Sequence, residues 1–292
     1  MEAARPAPSA QPASAPTPML EVRGFSKSYG GRPAVRDVSL AVMPRRIFGF
    51  VGPNGAGKTT LIRAIVGAQD FDAGDIRIAG MSVRRRPVEC KQLTAYVPDN
   101  PDVYGFLTGA QYLSYLADLF EVPADLRAER IRRYGDLLGM TGRLGELTSG
   151  YSHGMRQKLV LMGALVHEPK LLVLDEPFVG LDPQASYNLK QIMADLTARG
   201  SAIFFSSHVL EVVEKLCDEV AIIRDGAIVR SGPTAEVCGD AGLEEVFLDL
   251  AREGEGGKGR EEKEEKEGEG EGAAEGKAPA ARGARRRGGR HA

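Results

Sequence analysis

The chain reads as an α/β fold, a mostly parallel sheet with an antiparallel β edge plus a helical subdomain, and three features of the sequence lead there. Short apolar runs at Ile47, Ile76, Ala95, Leu171, Ala202 and Val220 are strand-sized and belong to one α/β core. A strand, a glycine turn and a helix follow one another in IFGFVGPNGAGKTTLIRAIVG, the unit from which such sheets are built. From Thr108 to Gly150 the pattern changes: apolar residues recur at helical spacing in AQYLSYLADLF and LRAERIRRYGDLLGM.

Taken from the N-terminus, residues 1–18 are rich in Ala, Pro and Ser and carry neither an apolar signal region nor a basic transit pattern, so a disordered extension is expected. Met19 opens the first strand-like segment, LEVRGFSKSY, and is a candidate start of translation. That segment and AIIRDGAIVRSG supply the antiparallel edge, the second as a hairpin about its RDG turn. The ordered part is expected over 19–251, with the helical subdomain at about 100–165. Its aromatics Tyr112, Tyr115 and Phe120 are read as core on their spacing. Residues 252–292 are a Gly/Glu/Lys block with a basic finish, too poor in apolar surface to order themselves.

The whole chain, with 42% hydrophobic and 27% charged residues, can build a proper core. Its formal net charge of -2 argues against broad attraction to nucleic acid, and no specific nucleic acid is expected. Three scattered cysteines, Cys90, Cys217 and Cys238, make neither a disulfide framework nor a zinc site and suit a reducing cytosol. No apolar run is long enough to span a bilayer, so any membrane work needs another chain to cross it.

The strongest chemical signal is Gly52, Pro53, Asn54, Gly55, Ala56, Gly57, Lys58, Thr59 and Thr60, which fit the phosphate-loop pattern G-x-x-x-x-G-K-[ST] between a strand and a helix. Glycines let backbone N–H groups close around a β-phosphate, Lys58 reaches the β and γ oxygens, and the Thr59 hydroxyl suits Mg²⁺. The apolar run KLLVLDEP ends in two carboxylates, placing Asp175 for the Mg²⁺ shell and Glu176 to polarise a water against the γ-phosphate. A third strand, AIFFSSH, ends at His208, a candidate contact for the γ-phosphate or that water. Ahead of a helical pattern from Met155 to His167, SGYSHGMRQK offers the free N–H groups of a helix start, which suit an anion or a plain N-cap.

This order of motifs resembles the ATP-binding subunits of ABC transporters, P-loop NTPases, over roughly Leu20 to Leu250. The resemblance implies that Tyr29 stacks on adenine and that YSHGM stands for the family's LSGGQ signature. Ser152 and Gly154 of one copy would then grip the γ-phosphate held by the phosphate loop of a second copy, in a homodimer or heterodimer around two ATP. Asp182 in GLDP matches the loop between the two sites; its alternative is an N-cap ahead of Pro183. Asp99 stands where the family usually has the Gln that reaches Mg²⁺, His153 and Met155 replace a Gly and the Gln of the signature, and Arg45 replaces a common turn Gly.

The resemblance also implies a separate transmembrane permease docked beside Asp99 to Phe106, a peripheral place on the cytoplasmic face of the membrane, and ATP hydrolysis coupled to transport. The motif style favours the bacterial exporter or multidrug branch. The competing reading is a soluble ABC-type ATPase acting on ribosomes or another macromolecule. Ribosomal members carry two nucleotide domains and chromosome-repair members a long coiled-coil insertion; here there is one phosphate loop and a short interval.

Overall fold

The computed structural model describes residues 16–250; the tails expected to be disordered lie, apart from residues 16–18, outside the described residues. The chain divides into two compact units, 1–244 and 245–292. Of the second, residues 245–250 are described and are helical.

The first unit holds two sheets. Strands β1 (Leu20–Tyr29), β2 (Arg32–Val42), β4 (Ala73–Ile78) and β5 (Met81–Ser82) form an antiparallel sheet in the order β2-β1-β4-β5. Strands β3 (Ile47–Val51), β6 (Thr94–Val97), β7 (Leu171–Asp175), β8 (Ala202–Ser207), β9 (Glu219–Arg224) and β10 (Ala227–Pro233) form the second, in the order β10-β9-β3-β8-β7-β6. All its pairings are parallel except β10 on β9. Both predicted antiparallel segments pair as hairpins. The β9–β10 turn at Asp225 and Gly226 has φ of 46° and 80°, the two positive values a tight two-residue turn needs.

One expectation is corrected: the strand at Ile76 belongs to the antiparallel sheet, with Val22 opposite Ile76, and not to the parallel core. The reason is legible in its burial, since Ile76 and Ile78 are buried while Arg77 between them is half-exposed. That alternation marks a one-sided strand. By contrast β3, β7 and β8 are buried at every position, as strands covered on both faces must be.

Helices α1 (Lys58–Ile65), α2 (Pro87–Leu93), α3 (Gly109–Leu119), α4 (Ala124–Leu138), α5 (His153–Leu165), α6 (Pro183–Ala198), α7 (Leu210–Leu216) and α8 (Thr234–Cys238) complete the unit. α3 opens with a reciprocal cap: Gln111 N donates to Thr108 Oγ1 and Thr108 N donates to Gln111 Oε1. α4 ends at Gly139 in the left-handed region. Tyr112 of α3 is buried, but Tyr115 is 47% exposed and leaves the predicted core, because it faces Tyr104 on the surface with ring centroids 6.1 Å apart. Phe120 is half-buried against the His167 ring.

One apolar core joins both sheets to α1: Leu20, Val22 and Ile76 pack in the same cluster as Phe50, Leu61, Ile65 and Phe204. The β3 rings of Phe48 and Phe50 lie 5.8 and 5.5 Å from Phe204 on β8. This fixes the end of β3, and with it the turn into α1, against the ends of β8 and β7. No described helix is long and apolar enough to cross a membrane.

Candidate functional site

The turn after β3 requires glycine twice. A Cβ at Gly52 would sit 2.3 Å from the Ile223 carbonyl oxygen, and one at Gly57, where φ is +108°, would sit 2.6 Å from Val35 Cγ2. Lys58, at the start of α1, is only 7% exposed, and its ammonium donates to the carbonyls of Gly52 at 2.6 Å and Pro53 at 3.2 Å. Burial lowers its pKa, while the charges of Glu176 and Asp175 pull it back up. The ammonium therefore braces the loop from within.

Asp175 ends β7, is 1% exposed, and is held from two sides: Thr59 Oγ1 donates to Oδ2 at 3.0 Å and Ser206 Oγ donates to Oδ1 at 2.5 Å. Burial raises its pKa; the bonds from Ser206 and Thr59 oppose this, and the charges of Asp99 and Glu176 add to it. Glu176 has left the strand with φ of 50°, a strained value for a non-glycine residue. Its N–H donates to both the carbonyl and the hydroxyl oxygen of Ser206, each at 3.2 Å. Its carboxylate meets His208, whose Nδ1 lies 2.9 Å from Oε2.

Lys58, Thr59, Asp99, Asp175 and Glu176 thus line one cleft of about 220 Å³ with Asn54, Gly55, Gly57 and Thr60. Asp99 is exposed, and its Oδ1 accepts from the Asn100 N–H. The oxygen donors Thr59, Asp175 and Asp99 fit a hard cation such as Mg²⁺. Among the described residues, no group of three or more His, Cys, Asp or Glu makes a metal cage.

The remaining expected residues lie apart. Tyr29 ends β1, half-exposed, with its hydroxyl donating to Gln69 Oε1 at 2.9 Å. Ser152, Gly154 and Asp182 are not among the residues lining the cleft. Ser152 is the N-cap of α5, accepting from Met155 N at 3.3 Å, so the helix begins two residues before Met155. Asp182 caps α6 through Ala185 N at 2.8 Å and pairs with Lys158 at 2.5 Å. The Lys158 and Ala185 bonds hold its carboxyl below the usual carboxylate range.

Three contributors were not found in the sequence. Ser206 pairs with Asp175 across β7 and β8, a register that only the sheet reveals. Lys158 and Gln69 act through partners distant along the chain, Asp182 for the one and Tyr29 and Thr60 for the other.

A glycine loop at the end of a buried strand, bonded through its threonine to an acid at the end of a parallel neighbour, defines a P-loop nucleotide-binding protein. Residues 35–179 match the family model described as ABC transporter. An uncharacterized ABC transporter ATP-binding protein of Nostoc sp. is 39% identical over 208 residues, 70% of this chain and 62% of that protein. This chain therefore spans about three fifths of that relative. The linearmycin resistance ATP-binding protein LnrL of Bacillus subtilis is 31% identical over 245 residues, covering 80% of this chain and 79% of its own. A solved structure of an ATP-binding subunit of an ABC transporter superposes with a TM-score of 0.78 at 30% identity, over 80% of this chain and 99% of that one. The chain belongs to the ATP-binding proteins of ABC transporters, a family of ATPases.

Proposed function

We propose that this chain hydrolyses ATP in the cleft between the phosphate loop and the β7 end, and that two copies close head to tail around two ATP to move a separate permease. The meeting of Lys58, Thr59, Asp175 and the Glu176–His208 pair at one cleft carries this reading.

ATP binding gives Lys58 phosphate oxygens in place of the Gly52 and Pro53 carbonyls it now holds. Thr59, Asp175 and Asp99 would hold Mg²⁺, which would supply charge neutralisation on the phosphates. Glu176 accepts the proton of a water as its oxygen attacks the γ-phosphorus, and the bond to the β-phosphate oxygen breaks with ADP leaving. His208 donates to Glu176 and orients it. In the closed dimer Ser152 and Gly154 face the γ-phosphate of the partner copy, contacts that exist only when ATP is bound. That difference in affinity is the source of the conformational work.

The exposed Tyr104 (51%) and Phe106 (76%), just beyond Asp99, suit docking of a permease on the cytoplasmic face of the membrane. The resistance named for the Bacillus relative favours export. The test is to purify tagged Glu176→Gln protein from detergent-solubilised membranes of its native cells with ATP and Mg²⁺. Co-purification of a multi-spanning protein is expected; recovery only from the soluble fraction, or with ribosomes, overturns the transport reading.

A further inference from the structure

The segment between α1 and β4 grips the tip of β1 from two sides. Asp72 accepts the Ser28 N–H at 2.7 Å and the Lys27 ammonium at 3.2 Å, which pins the strand end one residue before Tyr29. Gln69 holds the ring itself. Its Oε1 accepts the Tyr29 hydroxyl at 2.9 Å while its Nε2 donates to the Thr60 carbonyl, also at 2.9 Å. The two ends of the amide cannot exchange, because a carbonyl only accepts and so fixes Nε2 on Thr60, leaving Oε1 for the phenol. Thr60 lies in the first turn of α1 and lines the phosphate cleft. A single side chain therefore ties the exposed aromatic ring to the backbone of the phosphate loop's own helix.

We propose that Gln69 is a positioning residue that sets the span between the base-stacking ring of Tyr29 and the phosphate-binding loop, so that base and phosphates engage together. This rests on Tyr29 being the base-stacking residue. An exposed tyrosine at a strand end keeps several rotamers, and each nucleotide that binds must select one of them. The Gln69 bridge removes that freedom before binding, at one neutral hydrogen bond on each side.

The experiment compares binding of ATP with binding of inorganic tripolyphosphate, which has no base, by calorimetry on the full chain and on Gln69→Leu, Tyr29→Phe, their double variant, and Tyr29→Ala. Gln69→Leu and Tyr29→Phe should each weaken ATP about three- to tenfold, the loss expected for one hydrogen bond, and leave tripolyphosphate unchanged. The double variant should be no weaker than either single one, since each breaks the same bond. Unchanged tripolyphosphate affinity also reports an intact phosphate loop in every variant. If Tyr29→Ala weakens ATP while Gln69→Leu and Tyr29→Phe do not, the bridge does not position the ring and the proposal fails with stacking intact. If Tyr29→Ala leaves the ratio of the two affinities unchanged, Tyr29 does not read the base, and both the stacking and the proposal are overturned.

Discussion

His208 reaches Glu176 twice: its Nδ1 lies 2.9 Å from Oε2, and its backbone N–H donates to the same oxygen at 3.3 Å. Both contacts depend on Glu176 holding φ of 50°, a conformation that Ser206 stabilises by accepting the Glu176 N–H on two oxygens. The strain thus aims the carboxylate and is offset by the neighbouring strand. Glu176→Gln should lower single-turnover hydrolysis at least about a hundredfold, retain ATP, and run as an ATP-trapped dimer in gel filtration. His208→Ala should reduce turnover less, because it removes the orienting group and leaves the base. Hydrolysis by Glu176→Gln at the parent rate would remove Glu176 from the mechanism.

Asp99 brings a carboxylate to the cleft where a neutral amide is usual for the family, and its charge already acts on Asp175. An extra anion at the edge of a cation site strengthens cation binding. Asp99→Gln should therefore need roughly tenfold more free Mg²⁺ for half-maximal ATPase rate, the effect of one exposed charge at close range on a divalent ion after salt screening. Titrating Mg²⁺ at saturating ATP gives the answer, and an unmoved midpoint would place Asp99 outside the cation's reach.

Gly154 and Gly180 touch backbone to backbone: a Cβ at Gly154 would lie 2.6 Å from the Gly180 carbonyl oxygen. His153 closes the other side, with its Cδ2 2.8 Å from where a Gly180 Cβ would stand, and Lys158 pairs with Asp182 two residues beyond Gly180. The start of α5 and the loop before α6 are therefore packed tightly against each other. Gly154→Ala must push them apart, at a cost of about 1–3 kcal/mol if the contact does not relax. Turnover should fall by about tenfold or more while ATP affinity of the isolated chain stays at the parent value, because neither segment lines the cleft. Loss of ATP affinity would contradict this separation.

Local chemistry made the cleft legible before the structure. A phosphate loop states its own function in nine residues, and apolar runs leading into Asp175 and, through two serines, into His208 locate the carboxyl ends of parallel strands. Pairings across strands were not legible. The Asp175–Ser206 bond depends on β7 and β8 lying side by side, and the Gln69 bridge depends on the segment after α1 reaching back to the end of β1. The strand at Ile76 falls in the antiparallel sheet rather than the parallel core because only alternate residues, Ile76 and Ile78, are buried, with half-exposed Arg77 between them. Arg45 shows the reverse case. It keeps the turn that glycine usually makes, at φ of 65°, and its guanidinium donates to the Ala198 carbonyl at 2.6 Å in the last turn of α6. A cation at a helix C-terminus offsets the backbone strain.

His167 makes the stability of the fold fall toward acid pH. Its ring stacks on Phe120 with centroids 3.8 Å apart and planes 5° from parallel, beyond the end of α5. Burial pushes its pKa from 6.5 down to about 4, and the Arg130 charge adds to the effect. The folded chain thus holds His167 neutral where the unfolded chain already takes up a proton. Its contribution is fully present above pH 6.5 and is lost as pH falls from there toward 4. Between pH 7 and pH 5 the loss is about 2 kcal/mol for a group so placed. In His167→Phe the stacking surface remains and the titration does not. Urea unfolding of parent and variant across this range should give a stability difference, variant minus parent, that rises by about 2 kcal/mol from pH 7 to pH 5, with the carboxylates common to both cancelling. Curves that stay parallel would mean that the folded chain protonates His167 as readily as the unfolded one does.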